Sequence, residues 1–275
     1  MNRLKLLAIL VAILSFVSLG AALLWMDSLF EEPEATFVSS IAGEVGAKSV
    51  LAIFAHPDDE QLITGLLIRA KEQDAAITRM ITATKGEAGT PLPKISRTAE
   101  LGIIRHAELL KNGYALGVKE QIVWDYADGG VANADFDTYV GDLVDKMLIW
   151  KPDLIVTFWP NSGFSDHSDH KTAGKAATAA VTRMKIDHPA MAPKAIAYIL
   201  APRLMMDKFG GAVGKRVVAN QPTPTHAMPG EGWAKIRGWD IHASQSQYVS
   251  KAYGFPPWFI HRLYDKEHYY LQFID

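Results

Sequence analysis

Apolar and polar residues form alternating blocks along the chain, and the block lengths suit strands and helices in turn. SVLAIF at 49–54 is an apolar run of the length of a buried strand, a helical pattern follows at 61–73, and a second strand is predicted at 77–84. The same alternation continues further along the chain. It predicts helices at 97–112, 136–150 and 168–184 and strands at 121–124, 153–158 and 195–200.

Alternating strands and helices predict an α/β fold with a doubly wound, mostly parallel, Rossmann-like sheet covered by helices on both faces. Right-handed crossovers place the carboxyl ends of the strands along one edge, where such folds bind ligands. The C-terminal third is less regular. Its pattern suggests a strand at 216–219, a loop at 221–232, a helix at 233–248 and no helix over 255–258, where two prolines are adjacent.

The N-terminus carries an uncharged apolar run of 21 residues at 6–26, which is long enough to cross the ~30 Å hydrocarbon core of a bilayer as a helix. Arg3 and Lys5 precede the run, and acidic residues follow it. Because positive residues stay on the cytoplasmic side, the rest of the chain is expected outside the cytoplasm, in the periplasm or at the cell surface.

The favoured interpretation of 1–26 is a membrane anchor or an uncleaved signal, because the apolar run exceeds the usual length of a signal-peptide core. A cleaved signal peptide, with small residues at 18–20 and secretion as its result, and a buried core helix remain alternatives. Residues 27–47 are acidic, contain a proline and are predicted to be a linker. One soluble domain is predicted at 48–275.

Composition narrows the possible partners. The 28 Lys and Arg residues are balanced by 30 Asp and Glu residues, so a long positive surface for nucleic acid is not expected. The chain contains no cysteine, which excludes disulfides, thiolate metal ligands and a cysteine nucleophile. A metal ion would therefore need His, Asp or Glu ligands.

The first cluster of such residues is AHPDDE, at the end of the first predicted strand. His56 and Asp59 are three residues apart, so their side chains can face the same side of a turn that leads into a helix. Asp58 points elsewhere in that arrangement. The alternative is that an aspartate merely caps the helix and His56 is hydrogen-bonded in a turn.

A second cluster, DHSDH at 166–170, follows the strand at 153–158 and falls at the same sheet edge. One metal ion could take His56, Asp59 and either His167 or His170 as ligands and keep open positions for water and substrate. Two histidines and one carboxylate suit catalytic Zn²⁺ and also Fe²⁺. An Fe²⁺ oxygenase is disfavoured because its facial triad usually lies in an all-β barrel.

AHPDDE followed by DHSDH about a hundred residues later resembles the PIG-L/LmbE-like N-acetylglucosaminyl deacetylases, metal-dependent enzymes that remove acetyl groups from amino sugars. TKGEAG at 84–89 is similar to the family's T-x-G-E loop, and Arg97-Thr98-Ala99-Glu100 to its R-x-x-E helix. His242-Ala243-Ser244-Gln245 is similar to its H-x-S-Q segment. The resemblance spans nearly everything from residue 49 to residue 273.

The resemblance implies an LmbE-like fold, with His56, Asp59 and His170 as ligands of Zn²⁺ or another divalent ion such as Fe²⁺. It also implies Asp58 as general base and His167 near the developing oxyanion. Asp169 is expected to orient a histidine in support of catalysis. Serine replaces the proline that the family often has in its H-P-D-H segment, so the local backbone is less fixed here.

Substrate contacts are expected from Arg97, Glu87 and His242, although Arg97 could instead pair with Glu100 at a helix start. The predicted activity is removal of acetyl from an N-acetylglucosaminyl glycan or glycolipid by metal-activated water. Alternatives are hydrolysis of another amide, as in a thiol-conjugate amidase or an antibiotic deacylase, and a non-catalytic, metal-dependent carbohydrate-binding protein.

Overall fold

The structure is a computed structural model that describes residues 3–274, without the side chain of Leu4. The described residues form one sheet of eight strands surrounded by helices. The strands are β1 Thr36–Phe37, β2 Ser49–Phe54, β3 Ile77–Thr82, β4 Glu120–Val123, β5 Leu154–Phe158, β6 Ala195–Leu200, β7 His226–Pro229 and β8 Lys266–Phe273. The α-helices are α1 Arg3–Ser28, α2 Ile41–Val45, α3 Thr64–Glu72, α4 Leu101–Leu116, α5 Phe136–Trp150, α6 Ser168–Asp187, α7 Arg203–Phe209, α8 Gly211–Asn220, α9 Gly232–Ile241, α10 Gln247–Tyr253 and α11 Pro257–Leu263.

The strand order is β1-β7-β8-β6-β5-β2-β3-β4. Strands β2 to β6 pair in parallel, and β8 is antiparallel to both of its neighbours. From β2 the chain first builds outward through β3 and β4, and then returns to place β5 on the other side of β2. This reversal confirms the doubly wound arrangement and creates a crevice at the carboxyl ends of β2 and β5.

Side chains of β2 alternate between two buried layers, as the period of two in a strand requires. Val50, Ala52 and Phe54 belong to one apolar core with residues of α3 and α4. Leu51 and Ile53 belong to a second core with residues of α5 and α6. A strand buried on both faces reads as a continuous apolar run, which explains the sequence SVLAIF.

The predicted elements of the parallel half are confirmed, and the differences lie in the C-terminal third. The predicted strand at 216–219 lies inside α8, and the predicted loop at 221–232 contains β7. Helix α11 begins at Pro257, because a proline in the first helical turn has no hydrogen bond to lose. Strand β8 was not predicted at all.

Helix α1 stands apart from the domain. Its segment Lys5–Ser28 has the length to cross a membrane. The most apolar 18 residues of this segment have a mean hydropathy of 2.7, and none of them is buried against the rest of the described chain. A signal sequence near an N-terminus has the same properties. The structure is therefore compatible with both membrane interpretations, and it disfavours a buried core helix.

The segment after α1 packs more tightly than a linker. Strand β1 pairs with β7, and the side chains of Leu29, Phe30 and Ile41 are almost fully buried. Glu32 accepts hydrogen bonds from the backbone N–H and the guanidinium of Arg203. The apolar side chains here were hidden from the sequence pattern by the acidic residues around them. The packed part of the chain thus begins near Leu29 rather than at residue 48.

We expect a chain that begins at Lys48 to unfold more easily than one that begins at Asp27. Burial of one large apolar side chain contributes about 1.5–3 kcal/mol, so loss of Leu29, Phe30 and Ile41 removes roughly 5 kcal/mol or more from the free energy of unfolding. Urea titration followed by circular dichroism measures this difference. A chain that begins at Thr36 retains Ile41 and should fall between the two; equal midpoints for all three would contradict the packing described.

Candidate metal centre

Two loops bring histidines together at the point where the strand order reverses. His56 follows β2, and Asp59 begins the short 3-10 helix that leads into α3. His167 caps the N-terminus of α6, and His170 lies in its first turn, beyond the end of β5. Since β2 and β5 are paired in parallel, both loops emerge side by side at the same sheet edge.

The donor atoms of three residues converge in this crevice. Nδ1 of His56 lies 3.1 Å from Nε2 of His170 and 3.7 Å from Oδ2 of Asp59. Nε2 of His170 lies 3.3 Å from Oδ1 of Asp59. All three side chains are almost completely buried. The structure therefore brings together the three predicted ligands.

Hydrogen bonds on the outer side of each ring determine which nitrogen faces the crevice. Nδ1 of His170 donates to the carbonyl oxygen of Gly163 at 2.9 Å, which leaves the lone pair on Nε2. Nε2 of His56 faces the carboxylates of Asp128 at 3.1 Å and Asp169 at 3.3 Å, which leaves the lone pair on Nδ1. Nδ1 of His56 and Nε2 of His170 thus each direct a lone pair into the crevice. Because two lone pairs repel each other, their short separation is favourable only if a proton or a metal ion lies between them.

This donor set fits a metal ion. Ligands at about 2.0–2.1 Å from a tetrahedral zinc ion are separated from one another by about 3.3 Å. The separation of His56 Nδ1 from His170 Nε2, 3.1 Å, and that of His170 Nε2 from Asp59 Oδ1, 3.3 Å, are close to this value. A histidine whose outer nitrogen is held by a carboxylate is also the usual arrangement around a bound metal. Donor atoms of His56, His167 and His170 also lie close enough together to hold one ion. His56 forms another close group with Asp128 and Asp169, but those carboxylates contact its outer nitrogen.

The carboxylates and histidines of the cluster stabilise one another's charged forms. Burial favours the neutral form of His56, but hydrogen bonds to Asp128 and Asp169 outweigh it and raise the pKa of His56 to about 10. Burial also works against ionisation of Asp59, yet His170 and His56 hold its pKa well below the usual range. Backbone N–H groups of Ala55 and His56 donate to the same carboxylate. Asp59 is therefore ionised at neutral pH.

Asp58 lies beside the ligands in a backbone conformation that is unusual for a non-glycine residue, with φ at +95°. Its Oδ2 accepts a hydrogen bond from Arg105 at 3.1 Å, and Arg105 also donates to the carbonyl oxygens of Pro57 and Gly86. Desolvation raises the pKa of Asp58, and the nearby charge of Arg105 offsets part of that rise. The result is a half-buried carboxylate with more affinity for a proton than aspartate usually has.

His242 lies beneath this turn and not on the substrate side. Its ring is fully buried, and its Nε2 contacts Oε1 of Glu60, which also accepts a hydrogen bond from Asn112. The other oxygen of Glu60 accepts from the backbone N–H of Asp58 at 3.0 Å. The expected substrate contact of His242 is thus corrected: a side chain with no exposed surface supports the Asp58 turn from below.

His167 occupies the rim of the crevice. Its ring centroid lies 4.9 Å from that of His56, and its Nδ1 accepts a hydrogen bond from the backbone N–H of Asp169. Burial and the neighbouring histidines lower the pKa of His167. The favoured form is therefore neutral with its proton on Nε2, so His167 can act as a hydrogen-bond donor without carrying a charge.

The remaining expected contacts lie further out. Arg97 is largely exposed and pairs with Glu100, as the alternative interpretation predicted. Glu87 is exposed and accepts a hydrogen bond from the backbone N–H of Asp128 at the rim. A cavity of about 270 Å³ opens here. Its lining contains charged and polar side chains but no Trp or Tyr among the described residues: His56, Ala88, Gly89, Arg105, Asp128, Gly129 and His167.

Sequence reasoning missed Arg105 and Asp128. The R-x-x-E pattern occurs twice near α4, and the second occurrence, Arg105 with Glu108, is the buried one; Glu108 holds the backbone N–H and the hydroxyl of Ser244. Only the position of Arg105 on the buried face of α4 distinguishes it from Arg97. Asp128 follows β4, so its place at the carboxyl edge of the sheet was an available signal.

The part of the chain that carries both histidine loops is similar to a known protein family. Residues 51–181 match the family model described as PIG-L, GlcNAc-PI de-N-acetylase. The match runs from β2 into α6 and includes both histidine loops. Residues 51–181 thus resemble the PIG-L family, over just under half of the chain. The LmbE-like resemblance seen in the sequence is confirmed.

Curated relatives of this chain carry names of deacetylases. A 1D-myo-inositol 2-acetamido-2-deoxy-alpha-D-glucopyranoside deacetylase from Saccharomonospora viridis is 31% identical over 156 residues, 49% of this chain and 58% of that protein. A probable N-acetyl-alpha-D-glucosaminyl L-malate deacetylase 2 from Bacillus subtilis is 31% identical over 140 residues, 50% of this chain and 62% of that protein. The chain thus spans about three fifths of the length of these relatives.

Solved structures share the fold at lower identity. N,N'-diacetylchitobiose deacetylase from Pyrococcus horikoshii superposes with a TM-score of 0.59 at 18% identity, over 82% of this chain and 84% of that one. GalB, the 4-carboxy-2-hydroxymuconate hydratase from Pseudomonas putida KT2440, superposes with a TM-score of 0.61 at 16% identity, over 83% of this chain and 97% of that one. Because a deacetylase and a hydratase share this fold, the fold alone does not define the reaction.

We expect His170→Ala to abolish stoichiometric binding of Zn²⁺, because it removes one of three converging donors. Asp169→Asn keeps the three converging donors but weakens the hydrogen bond to Nε2 of His56, so the affinity for Zn²⁺ should fall by about 10–100-fold. Metal analysis and competition with a chromogenic chelator measure both effects. His188→Gln, at the far end of the same helix, is the matched control and should bind like the unaltered chain. Undiminished binding by His170→Ala would contradict the ligand set.

Proposed function

We propose that the chain is a metal-dependent N-deacetylase that hydrolyses the acetamido group of an N-acetylglucosaminyl substrate to acetate and a free amine. The observation that carries the proposal is the convergence of His56, Asp59 and His170 with the unligated carboxylate of Asp58 beside them. When bound, a divalent cation such as Zn²⁺ or Fe²⁺ supplies Lewis acidity, which polarises a carbonyl group and acidifies water. The deacetylase names of the curated relatives support the same chemistry.

Asp58 acts as the general base and then as the general acid. It takes a proton from the attacking water while the oxygen of that water forms a bond to the acetyl carbon. When the C–N bond breaks, the same carboxyl group returns the proton to the departing nitrogen. The raised pKa of Asp58 suits a group that must both accept and donate. Arg105 restricts its orientation and prevents it from turning toward the ligands.

His167 stabilises the negative charge that develops on the carbonyl oxygen. Its neutral ring has Nε2–H available, because Nδ1 is occupied by the backbone N–H of Asp169. Asp169 and Asp128 hold the outer nitrogen of His56 and keep its ring fixed during the reaction. Glu87, at the rim beside Asp128, is placed to accept hydrogen bonds from sugar hydroxyls. We assign Arg97 no direct role in the chemistry.

The proposed setting is the outer side of a membrane, with residues 1–26 as anchor and the amino sugar presented on a glycan or glycolipid. The support is the exposed apolar helix α1 and the positive residues that precede its apolar run. The catalytic domain then comprises the residues from about Leu29 onward, because Leu29 and Phe30 are the first buried side chains after α1.

We expect Asp58→Asn to lower kcat for acetate release by about 10²–10⁴-fold, the usual contribution of a general acid–base group. Asparagine tolerates the left-handed backbone at this position and keeps the size of the side chain, so metal content should stay unchanged. Acetate release from a GlcNAc-containing glycolipid and from a soluble GlcNAc glycoside, with metal analysis of each preparation, provides the measurement.

His188→Gln again serves as control and should retain full activity. Equal acetate release by the unaltered chain and Asp58→Asn would refute the role of Asp58. Stoichiometric metal without acetate release in any variant would instead favour the non-catalytic carbohydrate-binding protein.

A further inference from the structure

An exposed apolar surface begins beside the C-terminal end of α1, at Phe209 and Phe255, and extends to Trp258 through the ring of Phe259. Its members are Leu204 and Phe209 of α7, Phe255 before α11 and Trp258 within α11, and we call these four residues the apolar foot. More than a third of each side chain is exposed, and Phe209 and Trp258 are more than half exposed. Such a grouping of large apolar side chains is unusual for a surface that contacts only water.

Helix α1 determines the depth of this surface relative to a bilayer. Its apolar run ends at Met26, so Trp25 falls at the boundary between hydrocarbon and headgroups, where tryptophan is enriched. The rings of Trp25 and Phe209 contact each other edge to face, with centroids 6.1 Å apart. The backbone N–H of Met205 donates to the carbonyl oxygen of Leu29 at 3.1 Å. Helix α7 is thus held at the level of the boundary.

The space between α1 and the foot is itself apolar. A cavity of about 440 Å³ is lined by Trp25 and Leu29 on one side and by Phe209 and Phe255 on the other. Exposed basic residues lie next to the foot in sequence: Lys208, Lys251 and Arg262. Aromatic and basic side chains in combination are typical of protein segments that lie in the headgroup region.

We propose that the apolar foot is inserted into the headgroup and upper acyl region of the same bilayer that α1 spans, and that acyl chain ends fill the cavity beside Phe209. The partner is a lipid surface, chosen over a second protein because the foot is continuous with the end of the membrane helix. Helix α7 of the foot follows the carboxyl end of β6, and the next helix, α8, contacts the loop before His167 through the ion pair of Arg216 with Asp166.

The absence of cysteine allows a direct test on the full chain. Single substitutions Phe209→Cys and Trp258→Cys are labelled with an environment-sensitive fluorophore and reconstituted in vesicles of phosphatidylcholine and phosphatidylglycerol at low protein density. Leu14→Cys in α1 is the control for insertion. Ile149→Cys is the control for exposure, because it is an exposed apolar residue near the amino end of β5, at the opposite edge of the sheet.

We expect blue-shifted emission for the labels at 209 and 258, with loss of emission when the lipids carry brominated acyl chains, and no such loss at 149. Iodide quenching that matches position 149 would overturn the proposal. Protection from iodide without quenching by brominated lipid would also overturn it and indicate a second copy of the chain on the foot. A water-exposed label at position 14 would also overturn the proposal, because α1 would then not cross the bilayer and could not hold the foot at the depth of the headgroups. None of these outcomes depends on deacetylase activity.

Discussion

The parallel pairing of β2 with β5 is the contact on which the candidate site depends. His56 and His170 are 114 residues apart in the chain, and their inner nitrogens meet only because these two strands end side by side. Gly174 permits α6 to approach β5 closely, since a Cβ atom there would lie 2.4 Å from the carbonyl oxygen of Phe158. The stacking of the Phe158 ring on His170 at 4.1 Å then fixes the ligand itself.

Concentrated negative charge is the electrostatic cost of this arrangement. Asp58, Asp59, Asp128 and Asp169 lie together at one sheet edge, and desolvation opposes the ionisation of each. The structure compensates with backbone N–H groups, with the guanidinium of Arg105 and with the histidines. A crevice built in this way has a strong preference for a cation at its centre, consistent with the metal chemistry inferred from the donor atoms.

The sequence predicted the parallel half of the fold well because its strands are buried on both faces and their apolar runs are unmistakable. The two histidine clusters were also predictable, since both follow such strands. Strand β8 was missed because its sequence, KEHYYLQF, mixes charged and aromatic residues. Its buried Glu267 forms an ion pair with Lys235 and accepts hydrogen bonds from backbone N–H groups of α3, and no local sequence pattern reveals these contacts. Arg105 was missed for a similar reason, because its partners come from other loops.

The left-handed backbone at Asp58 limits how this protein can change over evolutionary time. Only glycine, asparagine and aspartate adopt such a conformation readily, so most substitutions at this position would disturb the turn between His56 and Asp59, the proposed metal ligands. The few residues that preserve the turn other than aspartate lack a carboxylate. Loss of the base by genetic drift would therefore tend to produce folded descendants with an intact ligand set, and in such descendants the identity of this one residue would distinguish an enzyme from its inactive homologue.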